Sequence, residues 1–84
     1  MSGNNYLVWC DGDDPLDYAV VVQAWDFEEA VTLAADEIYS NSAGEAFSRG
    51  EDVLHVYQGA VASEIEMSEV KSFKVFMDWR SEER

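Results

Sequence analysis

Ten carboxylates and not one lysine, arginine or histidine occupy the first 48 residues of this 84-residue chain. Arg49 is the first base, and from there to Arg84 eight acids face five bases. No local ion pair can help the first half to fold, and that half carries most of the formal charge of −13. A surface of this kind repels nucleic acid, phospholipid and acidic substrates, and attracts the proteins that normally bind them. It points to a basic protein as partner, with no direct contact to nucleic acid or membrane.

Apolar content decides whether so charged a chain folds at all. Hydrophobic residues make up 48% and aromatics 13%, which lies outside the low-hydrophobicity regime of disordered chains. The length predicts one small domain over 1–84, frayed at about 1–4 and 81–84, burying roughly 60 to 65% of its extended-chain surface. A single cysteine, Cys10, excludes an intramolecular disulfide and suits a reducing cytoplasm. Residues 1–5 are polar and uncharged, and the longest apolar run, 6–10, is five residues. Neither a signal peptide nor a membrane span is expected.

Residues 6–10 are aromatic and β-branched, and Asp11, Gly12, Asp13, Asp14 and Pro15 follow as dense turn chemistry. Residues 18–25 contain three consecutive valines, so the first 25 residues read as a β-hairpin with an acidic tip. Asp26 and Glu29 have the spacing of a capping box. Phe27, Ala30, Val31, Ala34, Ala35 and Ile38 then recur at helical spacing, which predicts an amphipathic helix to about Tyr39. Its other face carries Glu28, Glu29, Thr32, Asp36 and Glu37, with no cation at i+3 or i+4. On that boundary Asp36 and Glu37 lie near the negative helix end, where the dipole disfavours them.

Residues 40–50 read as a polar connection with Phe47 turned inward, 53–58 as a third strand and 72–80 as a fourth. In the fourth, Phe73, Val75, Met77 and Trp79 alternate with Lys74, Phe76, Asp78 and Arg80. Residues 64–70 alternate acidic and apolar, as an edge strand or a short helical turn would. The sum is an α+β fold, ββαββ, an antiparallel sheet with one helix packed across one face.

Catalytic and metal chemistry have little support. His55 is the only histidine and shares a strand register with Val53 and Tyr57, as a structural imidazole would. Cys10 would become a nucleophile only if His55 approached it in a positive environment, and this chain is acidic. Asp11, Asp13, Asp14 and Asp17 crowd one turn. An EF-hand starting at Asp11 would, however, need an oxygen ligand at Pro15, glycine at Leu16 and glutamate at Val22. A loose, weak divalent site is the most that this turn supports, with a small metal- or ligand-binding enzyme domain as a rival reading, and no metal, cofactor or enzymatic activity is expected.

The carboxylates remain. Two exposed like charges about 6 Å apart repel by roughly 0.7 kcal/mol before salt screening, and several such neighbours accumulate here. Asp13, Asp14 and Asp17 at the tip, Asp26, Glu28, Glu29, Asp36 and Glu37 on and before the helix, and Glu45 beyond it are the candidate partner-binding residues. Glu64, Glu66 and Glu69 form a second candidate face. Tyr18, Trp25 and Tyr39 are candidate anchors, with core positions the commoner role for such aromatics.

Laid out on so small an α+β domain, this acidic set resembles the small inhibitors carried by phages and mobile elements, the anti-CRISPR and DNA-mimic proteins. The resemblance is one of size, charge and layout. It implies a non-enzymatic inhibitor in the bacterial cytoplasm that occupies the DNA-binding surface of a Cas complex, expected to be a type I surveillance complex. Carboxylates would stand where phosphates stand, met by lysine and arginine. Two other readings fit the composition. One is an interaction module or homodimer, because strands two and four are apolar on both faces and one helix covers only one. The other is adaptation to high salt, which spreads acid over every face, whereas Lys71, Lys74 and Arg80 fall together here.

Overall fold

The computed structural model describes residues 3–46, 51–76 and 81–83. Strand β1 spans Asn4–Cys10 and β2 Val20–Ala24, paired antiparallel with Val8 opposite Val20 and Asn4 opposite Ala24. The hairpin is as expected, but its connection holds a short helix, α1, Pro15–Tyr18. A turn comes first. The Asp13 N–H donates to the Cys10 carbonyl at 3.0 Å, and Gly12 takes φ +92°, a conformation that only glycine enters without strain. Asp14 then caps α1, accepting the Leu16 N–H at 2.9 Å, with Pro15 at the first helical position, where its missing donor is not needed.

Helix α2 runs Phe27–Ala46, about two turns beyond the expected end at Tyr39. Ser40, Asn41, Ser42 and Gly44 are poor helix formers, which is why residues 40–46 read as connection. Once a helix is nucleated, each further residue gains one hydrogen bond, so a run of weak formers can still be carried. Two expectations move with that boundary. Asp36 and Glu37 sit in mid-helix, out of reach of the terminal dipole, and Glu45 lies within the last turn of α2, not beyond it. The expected inward Phe47 lies outside the described residues.

Strand β3 spans Glu51–Gln58 and β4 Lys71–Phe76, and Ser81–Glu83 form a fifth strand, β5. The sheet is antiparallel throughout, in the order β2-β1-β3-β4-β5. The expected ββαββ therefore gains a strand, and the stretch 81–83 expected to fray is paired. Ser81 lies opposite Val75 and Glu82 opposite Lys74, so the single strand expected over 72–80 gives way to two; 77–80 lie outside the described residues. Opposite charges directly across two strands favour that pairing. The Lys71 ammonium is also 3.5 Å from Glu83. Residues 64–70 take the helical alternative, as two 3-10 turns, Ala62–Glu64 and Met67–Glu69.

At about 1.5 Å per residue, α2 is roughly 30 Å long, enough to cross five strands spaced about 4.8 Å. It packs on the face formed by Tyr6, Val8, Val22, Ala24, Leu54, Val56, Phe73 and Val75, all buried. Ala30, Val31, Ala34 and Ala35 of the helix are fully buried against them, with Phe27 and Ile38 at the margin. The small side chains Ala30, Ala34 and Ala35 of the helix thus meet the larger residues of the sheet.

The opposite face is not left bare. Leu7 and Trp9 point away from α2, yet are only 2% and 4% exposed. α1 packs on β1 and against the first 3-10 turn, and Tyr57, opposite Leu7 on the same face, donates its hydroxyl to the Glu64 carbonyl at 3.2 Å. α1 arrives from the Cys10 end of the sheet and the 3-10 turn from the Gln58 end. Leu7 and Trp9 are thus buried within the chain, whereas Val21 of β2, on the same face, is 51% exposed.

Candidate functional site

The N-terminus of α2 is held by two reciprocal hydrogen bonds. Asp26 Oδ1 accepts the Glu29 N–H at 2.8 Å, and Glu29 Oε1 accepts the N–H of Trp25 at 2.6 Å. This is the expected capping box shifted by one residue, since Glu29 reaches the donor before the cap residue and not the cap's own. The Thr32 hydroxyl donates to the Glu28 carbonyl at 3.2 Å. Asp26, Glu28, Glu29 and Thr32 line one shallow depression open to water. Asp36 and Glu37 continue the exposed face along the helix.

Among the described residues no lysine pairs with Asp26, Glu28, Glu29 or Asp36. Lys71 lines a second depression with Asp26, Phe27, Glu28 and Glu83. It is engaged there with Glu83 and with the Phe27 ring, 5.0 Å from the ring centroid. Lys74 lies opposite Glu82. The described cations of β4 thus face the acids of β5, and neither is within ion-pair distance of Asp26, Glu28, Glu29 or Asp36.

The tip residues Asp13, Asp14 and Asp17 are all exposed, with Asp14 held as the α1 cap. They do not join the helix set. The tip follows Cys10, whereas Asp26 follows Ala24 beside Asn4, so the length of β1, about 20 Å at strand rise, separates them. The sequence-derived acids therefore make two surfaces. The second candidate face also divides. Glu64 belongs to the 3-10 turn beside α1, whereas Glu69 lines a small cleft with Phe27, Tyr57 and Gln58 at the α2 N-terminal end. Glu66 is exposed between the two turns. Of Glu45 only the position in α2 is described.

Tyr18 and Trp25, for which a core position was the commoner expectation, are 63% and 64% exposed. They end α1 and precede α2, where no layer of the described residues lies over them. The side chain of Tyr39 lies outside the described set.

One constellation was invisible in the sequence. His55 bridges Asp11 and Ser72, with Nε2 2.9 Å from Asp11 Oδ1 and Nδ1 2.7 Å from Ser72 Oγ. The partners are 44 and 17 residues away in sequence, and no local pattern marks them. The imidazole stacks at a tilt on Trp9, ring centroids 5.8 Å apart. It ties the hairpin turn to β3 and β4. Ser72 lines neither the depressions at the α2 N-terminal end nor the cleft beside Tyr57. Cys10 packs against the α2-side core while His55 lies on the other face, and they form no nucleophile and base pair. Among the described residues no three of histidine, cysteine, aspartate or glutamate group as a metal site, and no helix is long and apolar enough to cross a membrane.

Comparison with protein-family models, with curated protein sequences and with solved structures gives no match.

Proposed function

We propose that this protein is a non-enzymatic inhibitor that occupies the basic DNA-binding surface of a bacterial CRISPR-Cas effector, a type I surveillance complex, and so keeps target DNA out. The observation that carries the reading is the exposed side of α2, a capped helix docked on a sheet, where Asp26, Glu28, Glu29 and Asp36 make no ion pair with a described lysine. Asp26, Glu28, Glu29 and Asp36 span about 15 Å at helical rise, on average roughly one charge per 4 to 5 Å, with three of the four at the helix start. One DNA strand carries about one charge per 3.4 Å. Lysine and arginine arranged for a phosphate backbone meet a comparable density, and arginine takes a carboxylate bidentately as it takes a phosphate. The Cas identity of the target and the bacterial cytoplasm as its place rest on the resemblance to anti-CRISPR proteins. The helix supports the wider statement, a basic nucleic-acid-binding partner.

The test is a mobility-shift competition between this protein and a labelled target duplex for a purified type I surveillance complex, at about 50 and about 200 mM salt. Wild type is expected to displace the duplex, less well at the higher salt. The double variant Glu28→Lys, Asp36→Lys keeps the Asp26 and Glu29 cap and is expected to need at least about tenfold more protein, equivalent to about 1.4 kcal/mol. Equal competition by variant and wild type sinks the reading for α2, and no competition by wild type sinks it for this target.

A further inference from the structure

The side of the sheet facing away from α2 leaves apolar side chains in water that the core does not use. Leu16 and Tyr18 of α1 are 64% and 63% exposed, and Val61, at the N-cap of the first 3-10 turn, is 48% exposed. α1 lies against that turn, so the three border one surface. Val21 of β2, 51% exposed, shares the face of Leu7, its cross-strand partner. Acids surround this surface: Asp13, Asp14 and Asp17 on the α1 side, Glu64 and Glu66 on the other, all exposed. The described lysines, Lys71 and Lys74, lie on β4, three strand positions from β2.

An apolar centre with a polar rim is the anatomy of a protein interface, and a rigid tyrosine at its centre is a common anchor. We infer that the α1 surface is a second docking site, for a cationic amphipathic segment of a partner protein. The segment's apolar side chains would seat over Leu16, Tyr18 and Val61, and its lysines and arginines would reach the acidic rim. Charge selects this occupant over a second copy of the chain, which would bring two rims of like charge together. Anionic lipid is disfavoured for the same reason. The site is separate from the α2 face, and its apolar centre keeps its contribution when salt screens the rim.

The probe is a synthetic amphipathic leucine and lysine peptide, titrated into the isotope-labelled full chain and followed by amide chemical shifts. Controls are an oligolysine of equal charge and a leucine and glutamate peptide of equal length. The leucine and lysine peptide is expected to shift Leu16, Tyr18, Val21 and Val61, and to do so still at about 200 mM salt. The glutamate peptide is expected not to bind. Leu16→Ser with Tyr18→Ala, both at exposed positions, is expected to weaken the first peptide at least about tenfold and to leave oligolysine binding unchanged. Shifts centred on α2, or an unchanged affinity in the variant, would overturn the inference. So would a wild-type dimer in sedimentation that the variant turns into a monomer, because a second copy would then be the occupant. Glu28→Lys with Asp36→Lys is expected to leave peptide binding intact. If wild type binds here yet fails to compete with DNA, only the α2 reading falls.

Discussion

The two sides of the sheet solve the same problem by different means. On one side a single 20-residue helix buries Ala30, Val31, Ala34 and Ala35 completely and turns Glu28, Glu29, Asp36 and Glu37 to water. On the other, α1 and the first 3-10 turn, held by local bonds such as Tyr18 N–H to Asp14 O at 3.0 Å and Glu64 N–H to Val61 O at 3.0 Å, cover Leu7 and Trp9. They leave Leu16, Tyr18 and Val61 exposed. A helix of several turns has two faces and can satisfy core and solvent at once. A single turn has too few residues to form separate faces, so covering the sheet from inside exposes apolar side chains outside. The continuous element thus presents mainly charge, with Leu33 45% exposed among it, and the patchwork presents charge around an apolar centre.

The largest test of that contrast removes one leucine from each side. Leu54 is fully buried under α2 and Leu7 is 2% exposed under α1 and the 3-10 turn. Each truncation to alanine is expected to cost about 2 to 5 kcal/mol in denaturant unfolding, a large part of the roughly 4 to 13 kcal/mol typical of a domain this size. Equal losses would establish a second packed layer. A loss below about 1 kcal/mol for Leu7→Ala alone would mean that α1 and the 3-10 turn collapse readily into the space, and the two sides would differ in rigidity as well as in surface.

That inequality also separates what the sequence displayed from what it concealed. The α2 side was legible because its burial follows one period: Phe27, Ala30, Val31, Ala34, Ala35 and Ile38 mark the helix, and Asp26 with Glu29 mark its start. The strands were legible in their valines and aromatics. The α1 side was not, because its elements are three or four residues long and carry no period. Asp14 before Pro15 was the one available signal, an N-cap followed by a first-turn proline, and it reads equally well as a turn. β5 has no glycine or proline before it to announce a reversal, and its pairing, with Lys74 opposite Glu82 and Lys71 near Glu83, has no local pattern in sequence. The His55 bridge depends on register between β1, β3 and β4, which exists only once the sheet has formed. Of the candidate site, the acidic residues were visible and their division into two surfaces was not, since that follows from strand direction.

Removing the caps sharpens the comparison at intermediate size. Asp26→Ala deletes the acceptor for Glu29 N–H at the head of α2 and is expected to cost about 1 kcal/mol of global stability. Asp14→Ala deletes the corresponding bond to Leu16 N–H in a helix of four residues. It is expected to leave the denaturation midpoint nearly unchanged while raising hydrogen exchange at the α1 amides, as a locally opening segment does. A global loss as large from Asp14→Ala as from Asp26→Ala would show that α1 folds cooperatively with the core.

The smallest effect bears most directly on why α2 is acidic. Asp36 is exposed in mid-helix, beyond the reach of the terminal dipoles, and the sequence places no cation at its i±3 or i±4 positions. Lysine is a better helix former than aspartate by a few tenths of a kcal/mol, and Asp36→Lys moves the formal charge from −13 to −11. The variant is expected to be more stable by a few tenths of a kcal/mol, most visibly at low salt, with the difference shrinking as salt screens the remaining repulsion. Thermal unfolding at low and high ionic strength measures it. A gain in stability together with a loss of DNA competition in the Glu28→Lys, Asp36→Lys protein would show that these carboxylates oppose folding and serve binding. A loss of stability would instead make Asp36 part of what holds the helix, and its charge would need no partner to explain it.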